Sequence, residues 1–289
     1  MYNLFMRKVD IVAVKNGSIE INLRELGYSS SICSRLRKRM GLIEVNNKAC
    51  RIVDSIEKDT IFSIYLEDDN KREIIPYKDI DINILYEDDD LAVIDKPANL
   101  AVISTREHFG KSLENVLAAK WGEFVYRPVN RLDRDTSGLM IVAKNQLAHS
   151  YLSKEHINRK YLALCDGVFE GEGVIDAKID RKEGSIMERC VKDTGKEAIT
   201  YYKVLKTFSS YSLVELTLKT GRTHQIRVHM AYINHPLLGD GLYNKNARKE
   251  MVLDNGFVLK RQALHSSYLS FIQPITKKEI CIESKPEFV

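Results

Sequence analysis

Residues 127–142 read RPVNRLDRDTSGLMIV. The first half is the densest polar cluster in the chain. Asp133 and Asp135 lie between and beside Arg131 and Arg134, and Thr136-Ser137-Gly138 follows as a turn. The second half runs into Leu139-Met140-Ile141-Val142-Ala143, a short apolar run that reads as a buried strand. An aspartate held on a turn beside arginines stays ionised, because a nearby positive charge lowers a carboxyl pKa. An ionised, positioned carboxylate acts as a nucleophile or a base. The plainer alternative is a loop whose Asp and Arg residues only bridge one another.

Outward from this stretch, strands prevail. Residues 84–86 and 91–95 precede it as two strands joined by an acidic turn. Segments 161–168, 198–208, 211–219, 225–229 and 264–272 follow it. Helices are inserted at Leu113–Ala119 and Gln146–Glu155. There is no regular β-α alternation and no GxGxxG. The expectation is therefore an α+β fold with a mixed, largely antiparallel sheet, not a doubly wound nucleotide fold.

The chain has 289 residues, with 44 basic and 40 acidic side chains and 44% apolar residues, which suffices for a real core. A charged fraction of 29% beside that apolar content excludes a disordered chain. No apolar run is long enough to span a membrane, and the first residues lack the apolar centre of a signal peptide. A cytosolic protein is expected. Its five cysteines are odd in number, far apart and without a CxxC pair, so they read as reduced thiols. Charge is unevenly spread: residues 1–60 hold 11 basic and 7 acidic groups, whereas 61–100 hold 4 and 11. Two basic parts joined by an acidic stretch suggest two domains that both meet a polyanion. A pI near 8.6 alone argues this weakly.

The basic head has a plan. A short helix ends at Gly27, and Ser29-Ser30-Ser31 offers caps for a second, Ile32–Met40, stopped by Gly41. Ile32, Leu36 and Met40 are read as its inner face. Arg35, Arg37, Lys38 and Arg39 crowd the same helix, enough to neutralise several phosphates. Leu42–Lys48 reads as strand and turn, with Asn46-Asn47 able to take positive φ. Thr60–Leu66 is a closing strand. This order resembles the S4 RNA-binding domain over about residues 18–67. The expected organisation is a head over 1–70, a linker over 71–83 and a catalytic domain over 84–289.

A second polar motif, KTGRTHQIRVHM, spans 219–230. Read as a strand from Gln225, it places Gln225, Arg227 and His229 on one face and Ile226, Val228 and Met230 on the other. With Arg131-Leu-Asp-Arg-Asp-Thr-Ser-Gly138 it resembles the RluA-type pseudouridine synthases. Asp95-Lys96-Pro97-Ala98, Arg159-Lys160-Tyr161, Gly195–Tyr201, Gly239-Asp240 and Leu264-His265-Ser266 extend the likeness over 84–289. The resemblance implies a bent mixed sheet with the active cleft between its halves, and conversion of uridine in RNA to pseudouridine without a cofactor or metal. It implies Asp133 as catalytic aspartate, Tyr161 packed on the target base, Arg227 paired with Asp133, and Arg131 near the flipped-out nucleotide. Lys96, Arg222 and Gln225 are further substrate-binding candidates. The expected partner is RNA, ribosomal before transfer RNA, with no membrane, and the expected state is a monomer.

Three departures from the family pattern stand out: Asn130 where histidine is usual, Gln273 before Pro274 where histidine is common, and Asn99 where glycine is common. Three other readings compete. A metallohydrolase built on His224, His229 and His235 with Asp133 or Asp240 lacks the i, i+4 helical spacing of zinc motifs. A binding protein that had lost catalysis would need a broken catalytic set. A glycosidase would need Asp133 and Asp135 to flank one bond.

Overall fold

The computed structural model describes residues 7–66, 73–105, 108–122, 124–155 and 157–289. The N-terminal part contains β1 (Arg7–Val12), α1 (Ile19–Glu25), α2 (Ser30–Lys38), β2 (Ile43–Val45), β3 (Lys48–Ala49) and β4 (Ile61–Leu66). Its antiparallel sheet runs β1-β4-β2-β3. The Ser29 side chain accepts from Ile32 N and starts α2. Asn46 and Asn47 have φ of 49° and 61° and turn β2 into β3. Ile32 and Leu36 are buried, but Met40 is 72% exposed. Arg39 is already extended, so the inner face of α2 ends a turn before Met40. Strand β1 had no counterpart in the sequence reading.

The larger part adds β5 (Asn83–Glu87), β6 (Leu91–Lys96), α3 (Leu113–Trp121), β7 (Ser137–Ala143), α4 (Gln146–Leu152), β8 (Asn158–Asp166), β9 (Glu172–Asp176), β10 (Ile199–Thr207), β11 (Tyr211–Leu218), α5 (Gln225–Tyr232), β12 (Leu264–Ile272) and β13 (Glu279–Glu283). The main sheet runs β9-β10-β11-β8-β12-β7-β6-β5, with β13 beside β12. Every pairing is antiparallel except β7 with β12. The mixed, largely antiparallel α+β architecture is thus present. A register shift between Lys160 and Tyr161 interrupts the β8–β12 ladder, the kind of local bend that re-aims side chains. No helix among the described residues is long and apolar enough to cross a membrane.

The linker expected over 71–83 is in part packed chain. Asp68–Arg72 lie outside the described residues. Beyond them, Tyr77 N–H donates to Asn115 O, Asn115 Nδ2 donates to Ile75 O, and Ile82 is buried in the main core. The head also does not hang free. Leu147 of α4 is buried in the head's own apolar cluster, and Ile275 packs against it.

The parallel pair is very short, joining Ser137 to His265 and Gly138 to Ser266. Gly138 has φ of 108°, and a Cβ there would lie 2.3 Å from Ser266 O. Both backbone conformation and close approach therefore require glycine. Gly138→Ala is expected to cost roughly 2–5 kcal/mol, as strain adds to overpacking. Gly256→Ala, at φ of 82° but with open space around it, should cost only about 1–2 kcal/mol. Urea titration of the two variants checks this, and equal midpoints would contradict it.

Candidate active site

Two cavities meet at the loop before β7. One encloses about 680 Å³ between that loop, β8 and the start of α5. The other, about 920 Å³, shares Asp133, Arg134, His224 and Arg227 with it and has Arg248, Lys249 and Lys260 along its other side. Both volumes fall in the range of about 300–1,000 Å³ of small-ligand sites.

Asp133 sits on the shared wall with its side chain 27% exposed. Its Oδ2 accepts from Arg227 Nη1 at 2.8 Å. His224 Nε2 lies 3.7 Å from the same oxygen. No group among the described residues donates to Oδ1. Arg227 is itself held from behind: Nε and Nη2 donate to the two oxygens of Asp240 at 2.7 and 2.9 Å. Its guanidinium lies 5.0 Å from the Tyr243 ring centre. Burial works against the Arg227 charge, but Asp240 and Asp133 more than offset it and the guanidinium pKa rises. A fixed cation therefore bridges a fully buried carboxylate and a cleft-facing one.

Tyr161 lines the cleft beside the bulge in β8 and is 5% exposed. Burial raises its phenol pKa, with Arg159 opposing, so it is a neutral aromatic surface. Arg131 is exposed at the cleft wall. Arg222 lines it too, its Nε donating to Glu197 O at 2.8 Å. Arg159 also lines the cleft, and its buried Nε has no hydrogen-bond partner among the described residues.

Three expectations need correction. Segment 225–229 is not a strand. It is the start of helix α5, entered through His224 in the left-handed region at φ of 57°. Five residues of alternating polarity fit either period, and the preceding turn decides. Gln225 and His229 are one helical turn apart and both bond Thr200 Oγ1, away from the cleft centre. Gln225, expected to bind substrate, has no donor or acceptor to spare: Oε1 accepts from Thr220 Oγ1 and Arg222 N, and Nε2 donates to Ile199 O and Thr200 Oγ1. Lys96 is fully buried and Nζ donates to Pro97 O, Leu100 O and Arg134 O at 2.8–3.0 Å. It has no donor left for a substrate. Burial, with Arg261 nearby, lowers its pKa to about 7. Its structural effect is to tie the 97–100 turn to the loop that carries Asp133.

The departures fit their surroundings. Asn130 Oδ1 accepts from Ile141 N at 2.8 Å and supports the loop. Asn99 has φ of 61°, which explains why glycine suits that position. Gln273 donates to Asp88 and Asp90. The three histidines of the metal reading are not gathered: His229 is buried between Thr200 and Ala177, and His235 stacks on Phe169. Asp135 pairs with Arg134 rather than facing Asp133 across the cleft.

Residues 90–232 match the family model described as RNA pseudouridylate synthase. An uncharacterized RNA pseudouridine synthase of Bacillus subtilis, YjbO, is 36% identical over 265 residues, covering 89% of this chain and 90% of that one. The chain belongs to the RluA-type RNA pseudouridine synthases. A ribosomal large subunit pseudouridine synthase D from Vibrio cholerae is 39% identical, over 74% of this chain and 69% of that one. The human RNA pseudouridylate synthase domain containing 1 superposes with a TM-score of 0.60 at 26% identity, covering 74% of this chain and 87% of that one. Within this synthase, the sequence reading set His224 and Asp240 only in the metal alternative and gave Tyr243 no part in the site. The Gly239-Asp240 motif carried the signal, since an acid in an apolar neighbourhood needs a cation.

Proposed function

We propose that this synthase isomerises specific uridines in structured RNA, foremost ribosomal large-subunit RNA, with Asp133 as the catalytic carboxylate and no cofactor. The reaction breaks the N1–C1′ bond and forms C5–C1′. The C5 proton leaves and N1 takes up a proton, so no oxidation state changes overall. The observation that carries the reading is the Asp240–Arg227–Asp133 bridge beside Tyr161. It keeps one carboxylate oriented and open at Oδ1 as nucleophile or base. Flipping the uridine out costs a few kcal/mol. Stacking on Tyr161 returns roughly 1–3 kcal/mol. Arg131 and Arg222 face the nucleotide's phosphates, and the adjoining basic cavity suits a neighbouring nucleotide. The large-subunit substrate is proposed because several relatives are named for that RNA.

Carbodiimide primer extension on ribosomal RNA from a strain lacking the gene tests this. One or a few stops should vanish, returning with the wild-type gene and not with Asp133→Asn. An unchanged ribosomal pattern, with stops lost from transfer RNA, would move the substrate there.

The S4-like head is proposed to hold RNA through α2. Arg35 is half-buried, whereas Arg37, Lys38 and Arg39 are exposed, and Arg37 pairs with Glu20. Because Leu147 packs into the head's core, point variants are better than removal of the head. Arg37→Ala with Lys38→Ala should lower the slope of log affinity against log salt by about 1–2. The rate at saturating RNA should stay unchanged. An unaltered slope would exclude α2 from the contact.

A further inference from the structure

His224 does no work in the mechanism above, yet it stands against Asp133. Its Nε2 lies 3.7 Å from Asp133 Oδ2, the oxygen that Arg227 already holds. Its Nδ1 lies 2.8 Å from the Tyr243 hydroxyl. That hydroxyl accepts the backbone N–H of Arg189 at 2.9 Å. Among the described residues, Nδ1 is the acceptor in reach of the Tyr243 proton. The opposite arrangement would bring the bare Nε2 lone pair against a carboxylate oxygen, which is repulsive. The contacts on both ring nitrogens thus select the tautomer protonated at Nε2.

We propose that Tyr243 and His224 form a positioning pair for Asp133: the Tyr243 hydroxyl fixes His224 as the Nε2–H tautomer, and that N–H, 3.7 Å away, turns its positive end toward the Oδ2 that Arg227 holds, so that Oδ1 is the oxygen presented to the substrate. His224 stands in the left-handed region at φ of 57°, which few non-glycine residues adopt and which histidine tolerates better than most. Its ring is edge-on to Tyr243, with centroids 5.6 Å apart. Burial keeps the imidazole neutral, with Arg227 and Arg189 acting in the same direction and Asp133 and Asp240 opposing. A neutral N–H faces the carboxylate without forming the ion pair that an imidazolium would. The Tyr243 ring also faces Arg227. Tyr243→Phe keeps that contact and removes only the hydroxyl.

This inference rests on Asp133 being the catalytic carboxylate, and the experiment separates the two. Bulk RNA labelled with 5-tritiated uridine, from a strain lacking the gene, serves as substrate in single-turnover tritium release. His224→Ala should slow release at saturating RNA by ~10- to 100-fold, the scale of a misplaced reacting group, with RNA affinity within about threefold. His224→Gln retains a donor at similar reach and should recover at least half of that loss on a logarithmic scale. Nitrogen-15 spectra of histidine-labelled protein should report His224 protonated at Nε2 and bare at Nδ1 from pH 6 to 8. In Tyr243→Phe the freed Nδ1 should titrate at higher pH than in the wild type. A proton on Nδ1 in the wild type, or His224→Ala turning over within twofold while Asp133→Asn is dead, overturns the pairing and leaves the role of Asp133 intact. If Asp133→Asn itself turned over, the reading of the site would fall first.

Discussion

Asp133→Asn is expected to abolish pseudouridine formation, with a loss of at least ~10³-fold, while RNA affinity stays within about twofold. The size of the loss follows from losing a nucleophile or base outright, since an amide is neither. The preserved affinity follows from the surroundings. The side chain is small, 27% exposed, and its main-chain oxygen still accepts from Thr136 N. Arg227 keeps its two bonds to Asp240, so the wall of the cleft stays in place. The amide oxygen of asparagine can still meet Arg227 Nη1. Asp135→Asn is the control. Asp135 pairs with Arg134, and its main-chain oxygen takes Arg261 Nη1 at 3.2 Å, so it supports the loop on the side of the adjoining cavity, not in the one that Tyr161 lines. That variant should keep a measurable fraction of the rate. Tritium release and binding, measured on the same preparations, decide the matter. A dead Asp135→Asn beside an active Asp133→Asn would reverse the assignment.

The sequence disclosed the elements better than their partners. Strands at 139–143, 198–208, 211–219 and 264–272 have β-branched runs and turn residues at their ends, and all exist with shifts of a residue or two. Ser29 and the Asn46-Asn47 pair act locally, so their cap and turn were legible. Segment 225–229 was misread because its five residues satisfy both periods. The deciding feature is a left-handed histidine and a Gln225 amide tied to Thr220, Arg222 and Thr200. Lys96 was misplaced for a different reason. A lysine between Asp95 and Pro97 reads as a surface cation. Its three carbonyl acceptors come from residues 97, 100 and 134, and only the folded loop gathers them. Asp133 and Arg227 were named together from the family resemblance. Their link to Asp240 is a long-range contact: the Gly239-Asp240 motif marks an acid that needs a cation, but only the fold says that the cation is Arg227.

Arg227→Met is expected to damage both stability and rate, and the two effects can be separated. The guanidinium has fork-like bonds to Asp240, a third bond to Asp133 and a ring beneath it. Asp240 is fully buried, so losing the cation leaves an uncompensated charge. Breaking a buried pair on one side costs about 3–5 kcal/mol. Here the N–H groups of Leu242 and Tyr243 still donate to Asp240 Oδ1, which points to the lower part of that range. For a chain of this size roughly 3 kcal/mol corresponds to a midpoint about 5 °C lower. The rate should fall by ~10²-fold or more, since Asp133 loses its holder. Arg227→Lys should recover part of the stability but little rate, because a point charge cannot span two carboxylates as a planar fork does. Arg227→Met with Asp240→Leu removes both buried charges and should restore most of the lost stability, whereas the rate should stay low. Calorimetry and single-turnover tritium release distinguish the cases. If that double variant regained both stability and rate, the bridge would serve the fold alone, and Asp133 would need no cation to work.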